Sequence, residues 1–283
     1  MTETVSIGVI APHSDLAIAE ACDDATQSLA AETQHAMVLM ADRVAATQPD
    51  TLVIATPHNV HVSGHMAVLT SSELAGQLEE AANPLTLSCN VDRELALATC
   101  EAMNSAGVPT VFVSFGGNDP AEAVSPMDWG VLVPLWHIAR VLPEVPVVVV
   151  APAREFDAGM HITAGRAIVR AAREGGRRIA FIASADQGHG HQADGPYGFH
   201  SESVAFDALV CDIVKRNALH ELADIGVELA LAAYVDSWWQ MLMLQGALLE
   251  DGGVFDAELL AYEAPTYFGM LTAVFEPSAG PSA

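Results

Sequence analysis

Short apolar runs rich in Val and Ile alternate with longer Ala-rich stretches along most of the chain. This alternation constrains the fold more than any other feature of the sequence, because it predicts strands separated by helices. The runs are continuously apolar, which is typical of strands buried on both faces of a mainly parallel sheet. The predicted strands cover residues 5–11, 51–56, 110–114, 145–151 and 178–183.

The stretches between these runs have the length and alanine content of helices that cover such a sheet. The clearest of them are residues 32–46, 92–106 and 161–174. Strands that alternate with helices predict the α/β class with three layers, in which a mainly parallel or mixed central sheet carries helices on both faces.

The C-terminal third of the chain has a different pattern. Residues 226–249 predict one long apolar helix or a pair of helices, which ends at Gly252-Gly253. Two closing strands are predicted at 259–262 and 267–275, with a short proline-containing turn between them. No repeat or linker divides the sequence, so we expect a single catalytic domain over residues 1–283, with a flexible tail at 276–283.

The charge of the chain excludes several classes of partner. The 283 residues include 36 Asp and Glu against 11 Lys and Arg, for a net charge of −25, and 51% are hydrophobic. The apolar fraction excludes a disordered chain, and the acidic charge excludes nucleic acid and anionic membranes, which bind clustered basic side chains. The first residues lack the basic start and apolar core that predict a signal peptide, and no apolar run reaches the ~18 residues expected of a membrane helix. Four scattered cysteines are typical of a reducing compartment, so we expect a cytoplasmic protein.

Histidines follow three of the predicted strands, at the point where each strand ends. His13 and His58 follow the first two strands, and His189 and His191 follow the last. The carboxyl ends of parallel strands meet at one edge of a sheet, where ligand crevices form. We therefore expect these side chains to converge, so that neutral imidazoles could bind a divalent metal and supply an acid/base group.

Other histidines are weaker candidates. His61 could reach the same crevice and competes with His58, and His200 lies in a loop where it could contact a substrate. The turn at 115–119 follows another predicted strand and is expected at the rim of the crevice. Histidines within helical stretches are expected to be surface or packing residues; they are His35, His137, His161 and His220.

Other catalytic motifs are absent from the sequence. It contains no G-x-S-x-G nucleophile elbow, no Walker A loop and no H-E-x-x-H helix. If two histidines bind a metal, a non-haem Fe(II) site needs a carboxylate as the third ligand. Two acidic residues interrupt apolar surroundings and could supply it: Asp236, which we prefer, and Glu263, which follows a predicted strand. Their structural alternatives are a helix N-cap for Asp236 and a solvated turn for Glu263.

At these positions the chain resembles the class III (LigB-type) extradiol ring-cleavage dioxygenases, the superfamily of the protocatechuate 4,5-dioxygenase catalytic subunit and of 2-aminophenol dioxygenase. His13 in Ala-Pro-His matches the N-terminal iron ligand, and Pro-Asp-Thr-Leu-Val-Ile-Ala-Thr-Pro-His, which ends at His58, matches the segment of the second. Ser-Ala-Asp-Gln-Gly-His, which ends at His189, is similar to the family's S-x-x-x-S-H element, with Gly188 in place of the serine. Asp236 stands about where the family has its glutamate ligand, and this departure keeps Glu263 as the alternative.

The resemblance implies an iron enzyme. Fe(II) would be bound by His13, His58 and a carboxylate, and a catechol or 2-aminophenol ring would be opened by O₂ beside its two heteroatoms. His189 would remove and return a proton, with His191 as the other candidate for this role. Tyr197 would donate a hydrogen bond to the substrate, and the candidates for further substrate contacts are His61 and His200.

Two other functions stay open at this point. The chain could be a binding protein of the related Memo-like branch, which shares the fold and the histidines without clear dioxygenase activity, or a zinc hydrolase that uses the same histidines. Members of the family are usually oligomeric, so we expect a homo-oligomer, and some members need a small second subunit. Arg154 and Arg166 are among the few cations available to a substrate carboxylate.

Overall fold

Strands form two sheets in the part of the chain that the computed structural model describes, residues 3–278. They are β1 (Val5–Ala11), β2 (Thr51–Ala55), β3 (Met66–Leu69), β4 (Glu73–Leu78), β5 (Leu85–Asn90), β6 (Thr110–Val113), β7 (Val124–Pro126), β8 (Val147–Ala151), β9 (Ile179–Ser184), β10 (Phe255–Glu263) and β11 (Met270–Pro277). The large sheet has the order β10-β11-β1-β9-β2-β8-β3-β6, and the small one has the order β5-β4-β7.

The large sheet is mixed, with a parallel centre. The four central strands, β1, β9, β2 and β8, run parallel to one another, and every residue in them is buried. β11 pairs antiparallel with β1, and β3 pairs antiparallel with β8. Continuous Val, Ile and Ala runs form the central strands because both faces of the sheet are covered.

Helices cover the large sheet on both faces. They are α1 (Ala31–Thr47), α2 (Arg93–Ser105), α3 (Trp129–Ala139), α4 (Ala158–Glu174), α5 (Ser201–Lys215), α6 (Val227–Ala232) and α7 (Trp238–Asp251). α1 packs on α3, β1, β10 and β11, while α7 packs on α4, β1 and β9. The three-layer α/β class with a mixed central sheet is therefore confirmed. Among the described residues, no helix combines the length and the apolar character needed to span a membrane.

Aspartates fix the starts of three of these helices. The side chain of each accepts a hydrogen bond from a backbone N–H in the first turn, which satisfies one of the donors left free at a helix start. The pairs are Asp92 with Leu95, Asp128 with Val131, and Asp157 with Met160.

The apolar segment near the C-terminus is the helix pair α6 and α7, one of the two arrangements expected from the sequence, and the residues between the helices are not helical. Other details differ from the expectations. Glu276 and Pro277 belong to β11 instead of the expected tail, because they pair with β10; residues 279–283 lie outside the described part.

The turn at 115–119 follows β6, which runs parallel to β3 and thus opposite to β8. This turn therefore lies at the edge of the sheet away from the ends of the central strands.

Two glycines allow α4 and α7 to pack with their backbones in contact. A Cβ atom added to Gly165 of α4 would overlap the carbonyl oxygen of Met243, and one added to Gly246 of α7 would overlap the carbonyl oxygen of Ile162. Backbone atoms on both sides cannot move as a side-chain end can, so neither position accepts a larger residue without separating the helices.

We expect Gly165→Ala to lower the free energy of unfolding by about 1–3 kcal/mol, because the added methyl group overpacks the α4–α7 contact. Denaturant unfolding followed by circular dichroism measures the change. Gly159→Ala is the matched control on the same helix, since Gly159 is exposed and its added Cβ meets only Asp157 Oδ1, at 3.3 Å. That control should be neutral or stabilising. Equal stability of the two variants would contradict the close packing of these helices.

Candidate functional site

The order of the large sheet brings the expected histidines together. β9 lies between β1 and β2 and is parallel to both, so the carboxyl ends of the three strands are adjacent. His13 lies two residues beyond β1, and His58 lies three residues beyond β2. Asp236 reaches the same place from the connection between α6 and α7.

These three side chains form the group that we call the metal cluster: His13, His58 and Asp236. One possible ligand atom from each lies within 4.8 Å of the other two. The Nε2 atoms of His13 and His58 are 3.0 Å apart, and Asp236 Oδ2 lies 3.4 Å from the former and 3.0 Å from the latter. Two imidazole nitrogens and one carboxylate oxygen this close together could hold a divalent metal.

The hydrogen bonds of Ser184 orient His13. Ser184, the last residue of β9, donates its hydroxyl hydrogen to the carbonyl oxygen of Gly130 at 2.5 Å. Its oxygen lies 3.0 Å from Nδ1 of His13 and is left to act as an acceptor, so Nδ1 carries a hydrogen. In the neutral imidazole of His13, Nε2 therefore carries the lone pair and faces the metal cluster, which is the arrangement that a metal-binding histidine requires.

Asp186 is a second buried carboxylate beside the metal cluster. Its Oδ1 accepts a hydrogen bond from the backbone N–H of His13 at 3.1 Å, and its Oδ2 lies 3.4 Å from His13 Nε2. Among residues 3–278, the ion pairs of Asp186 and Asp236 involve histidines and no Lys or Arg. Oδ1 of Asp236 is buried without a hydrogen-bond partner among these residues. A buried acidic site of this kind is stabilised by a cation.

The pKa values of these groups reflect the excess of buried carboxylates over basic side chains. Burial lowers the pKa of His13, but the facing carboxylates of Asp186 and Asp236 outweigh it and raise this pKa to about 9. Burial raises the pKa of Asp186, whereas at Asp236 the neighbouring histidines overcome burial and hold the pKa well below its usual range. Of the two carboxylates, Asp236 is thus the one whose surroundings favour the ionised form, which is the form that can bind a metal.

Trp129 and Asp128 fix the position of His58. The Trp129 ring lies 4.4 Å from the His58 ring, centroid to centroid, with an interplanar angle of 31°. Asp128 accepts hydrogen bonds from the side chains of Thr56 at 2.8 Å and Asn59 at 2.6 Å, on either side of His58. The start of α3 therefore holds the segment that carries the histidine.

His189 lies beside the metal cluster and outside it. Its ring stacks on Phe268 at 5.4 Å and meets the ring of Tyr197 edge-on at 6.1 Å. Its Nδ1 is buried without a hydrogen-bond partner among the described residues. The same loop carries Asp186, three residues before His189, and the Asp186 carboxylate contacts His13. An imidazole with a ring nitrogen that no protein group occupies can exchange a proton with a bound molecule.

The loop that carries His189 is held from several directions. Five consecutive backbone N–H groups donate to acceptors on other elements: Gln187 to Gly269 O, Gly188 to Asp207 Oδ1, His189 to Ala233 O, Gly190 to Ser203 Oγ and His191 to Tyr267 O. A Cβ at position 188 would lie 2.6 Å from Cβ of Ser203, so glycine lets the loop approach α5. The departure from the serine of the family motif thus has a steric reason.

Asp207 is the main anchor of this loop, and it also fixes the position of the His191 side chain. Besides the N–H of Gly188, it accepts hydrogen bonds from His191 Nε2 at 2.8 Å and from the Tyr262 hydroxyl at 2.7 Å. Asp207 is 1% exposed. His191 is therefore tied to a buried carboxylate instead of facing the metal cluster.

The remaining sequence candidates lie apart from the metal cluster. Glu263 ends β10, and its Oε2 accepts hydrogen bonds from the backbone N–H and the hydroxyl of Thr33, both at 2.7 Å. His61 is exposed, with Nε2 3.3 Å from Glu155 Oε1. His200 Nε2 lies 2.9 Å from the carbonyl oxygen of Tyr197, the residue whose ring flanks His189. Of the two carboxylates considered, the structure brings Asp236 to the histidines and holds Glu263 against α1.

Several residues of the site were not predicted from the sequence, among them Ser184, Asp186 and Trp129. Ser184 and Asp186 lie inside the segment that matches the family motif, so a local signal for them exists. Trp129 follows an exposed strand of the small sheet, and nothing in its local sequence indicates a contact with His58.

Comparisons with known proteins agree with this geometry. The model of the family described as the catalytic LigB subunit of aromatic ring-opening dioxygenase matches residues 9–275. The chain is similar to the Clostridium acetobutylicum protein CA_C1420, with 24% identity over 256 residues. This alignment covers 89% of the chain and 53% of that protein, so the chain spans about half the length of this relative.

The fold also resembles a solved structure, the crystal structure of an uncharacterized protein from Escherichia coli. The TM-score is 0.59 at 15% sequence identity, and the match covers 95% of this chain and 99% of that one. This similarity concerns the fold alone. The match of the family model to residues 9–275 confirms the resemblance drawn from the sequence motifs at the level of the family.

We expect Asp207→Asn to loosen the loop that carries His189, because the neutral side chain loses its charge-assisted hydrogen bonds. Amide hydrogen exchange of residues 188–191 should accelerate about tenfold to a hundredfold, the range for a hydrogen bond to a charged group. The matched control on α5 is Asp212→Asn, whose exposed carboxylate pairs with Arg216 at 2.7 Å. Unchanged exchange in Asp207→Asn would contradict the anchoring role.

Proposed function

Because the chain belongs to the family of catalytic LigB subunits of aromatic ring-opening dioxygenases, we propose that it is a non-haem Fe(II)-dependent extradiol dioxygenase. Its substrates would be a catechol or 2-aminophenol and O₂. The observation that carries this proposal is the metal cluster, in which two histidines and one carboxylate offer one atom each within 4.8 Å. This donor set is that of the two-histidine, one-carboxylate sites of Fe(II) oxygenases.

The residues fit such a metal on three counts. Ser184 favours the tautomer of neutral His13 that leaves Nε2 free, the histidines lower the pKa of Asp236, and the buried acidic groups have no Lys or Arg partner among the described residues. Fe(II) would be held by Nε2 of His13, Nε2 of His58 and Oδ2 of Asp236. When bound, the metal supplies positions for O₂ and for the two adjacent heteroatoms of the ring, and couples them electronically.

His189 moves the proton in this mechanism. The substrate hydroxyl must lose a proton to bind as an anion, and the imidazole beside the metal cluster accepts it and returns it during ring opening. Stacking on Phe268 and the fixed backbone hold the ring in place, so proton transfer needs no rearrangement of the loop. His191, held by Asp207, keeps the loop in position.

Tyr197 and His200 complete the substrate side of the site in this proposal. The Tyr197 ring flanks His189, and its hydroxyl is the group that would donate a hydrogen bond to the substrate. His200 holds the backbone of Tyr197 through Nε2, so its contribution is to position the tyrosine. His61 and Glu155 lie on the loops that follow β2 and β8, where they would form the outer rim.

The experiment is anaerobic loading of the protein with Fe(II), followed by a panel of catechols, protocatechuate and 2-aminophenols with and without O₂. A coloured ring-fission product that forms only with O₂ and Fe(II) supports the proposal. Hydrolysis of a catechol ester without O₂ by the Zn²⁺-loaded protein, measured beside the panel, would indicate a hydrolase instead. Binding of catechols without any product would indicate a binding protein of the Memo-like type.

We expect His13→Ala to abolish retention of Fe(II), since it removes one of three ligands, and the wild type to retain about one Fe(II) per chain. Asp236→Ala should have the same effect, and Glu263→Ala is the matched control, because Glu263 contacts Thr33 and not the histidines. Iron content after gel filtration, measured by mass spectrometry, provides the readout. Retention of iron in Asp236→Ala together with its loss in Glu263→Ala would reverse the assignment.

We expect His189→Ala to retain Fe(II) and to lose ring cleavage by a factor of about 10²–10⁴, the effect of removing a general acid/base. Substrate binding should persist, because the metal ligands are unchanged. Steady-state rates and iron content, measured on the same preparation, separate the two effects. Loss of iron would make His189 a ligand, and full activity would exclude it as the proton carrier.

A further inference from the structure

Three of the four tyrosines of the chain lie together beside His189. We call Tyr197, Tyr234 and Tyr267 the aromatic wall. The ring centroid of Tyr197 lies 5.1 Å from that of Tyr234 and 6.2 Å from that of Tyr267. His189 is 6.1 Å from Tyr197 and 6.0 Å from Tyr267, so the wall begins at the proposed proton carrier and extends outward from it.

The wall leaves large aromatic surfaces in contact with water. Tyr197 is 49% exposed and Tyr234 is 44% exposed, and exposed Phe199 and Leu231 flank them in sequence. Apolar surface next to a crevice that holds polar catalytic groups is typical of a ligand-binding site, where it is covered when the ligand binds.

The backbone at Tyr234 supports a ligand-binding role. Tyr234 has φ = +53°, a left-handed conformation that is costly for a bulky side chain and is usually occupied by Gly or Asn at a helix end. Tyr234 lies just after α6. Its ring centroid is 4.7 Å from that of His200, and its ring also packs against Tyr197. Strain of this kind is retained where a side chain serves a site.

The charges around the wall select against an anion. Burial raises the pKa of the Tyr267 hydroxyl, and the nearby carboxylates of Asp186, Asp15 and Asp236 raise it further. Among the described residues, no Lys or Arg forms a hydrogen bond or ion pair with a wall residue. The guanidinium of Arg154, considered earlier for a substrate carboxylate, lies 4.8 Å above the ring of Trp239 on α7.

We propose that the aromatic wall is a subsite that binds an uncharged aromatic or aliphatic substituent on the ring-cleavage substrate. The protein would then act on substituted catechols in preference to catechol itself and to catechol carboxylates. The reacting ring lies at the metal cluster and His189, and its substituent packs on Tyr197 and Tyr234. This inference rests on the proposed function for the position of the reacting ring.

The test measures binding without turnover. Protein loaded with Zn²⁺, which does not change its oxidation state, is titrated by calorimetry without O₂ with catechol, 4-phenylcatechol and 3,4-dihydroxybenzoate. We expect 4-phenylcatechol to bind about tenfold more tightly than catechol, which corresponds to one aromatic contact, and the benzoate to bind no more tightly than catechol.

Variants connect this preference to the wall. Tyr234→Asn, whose side chain tolerates the left-handed backbone, should reduce the tenfold preference to about twofold and leave Tm unchanged or raised. A purely structural tyrosine would instead lower Tm when replaced. The matched control is Phe112→Ala, an aromatic residue 49% exposed on β6, which should retain the preference.

Three results would overturn the subsite. They are equal affinities for catechol and 4-phenylcatechol, a preference that Tyr234→Asn does not change, and tight binding of the benzoate that Arg154→Gln abolishes. Ring cleavage by the Fe(II) enzyme, measured separately, tests the proposed function. Cleavage without the preference for 4-phenylcatechol would contradict only the subsite. The preference without cleavage would contradict only the dioxygenase activity. The absence of both binding and cleavage would contradict both proposals.

Discussion

The parallel pairing of β9 with β1 on one side and β2 on the other is the constraint on which the site depends. It aligns Ala11 with Ser184 and Ala55 with Ala183, so the three strands end side by side at the same edge of the sheet. One strand then serves two purposes. Its last residue, Ser184, orients His13, and the loop that follows it carries Asp186 and His189. A change in the register of β9 would displace all of these groups together.

The buried acidic groups give this arrangement its chemical bias. Burying two carboxylates without Lys or Arg partners is unfavourable unless a cation or a proton compensates the charge. His13 provides part of the compensation, and the facing carboxylates raise its pKa as a result. A divalent cation at this site would compensate the remaining charge, and the two histidines and Asp236 could hold it.

The two sides of His189 differ in rigidity. Toward the protein interior, its loop is fixed by five consecutive backbone hydrogen bonds and by Asp207. Toward the solvent, it meets exposed tyrosines, one of them with a strained backbone. A fixed imidazole next to an accessible aromatic surface suits the proposed reaction, in which the reacting atoms must be held while substituents vary.

The sequence by itself determined the central strands and the histidines at their ends, because continuous Val and Ile runs are a local signal and strand ends are sites of convergence. It left the choice between Asp236 and Glu263 open, since both interrupt apolar segments and differ only in what they meet in space. Only the tertiary structure decided it, by bringing the α6–α7 connection to His58 and pairing Glu263 with Thr33 of α1. The same holds for Trp129, whose contact with His58 joins positions 71 residues apart and leaves no local trace in the sequence. Long-range packing, not local pattern, selects such partners, because contact in space does not depend on the periodicity from which elements are predicted.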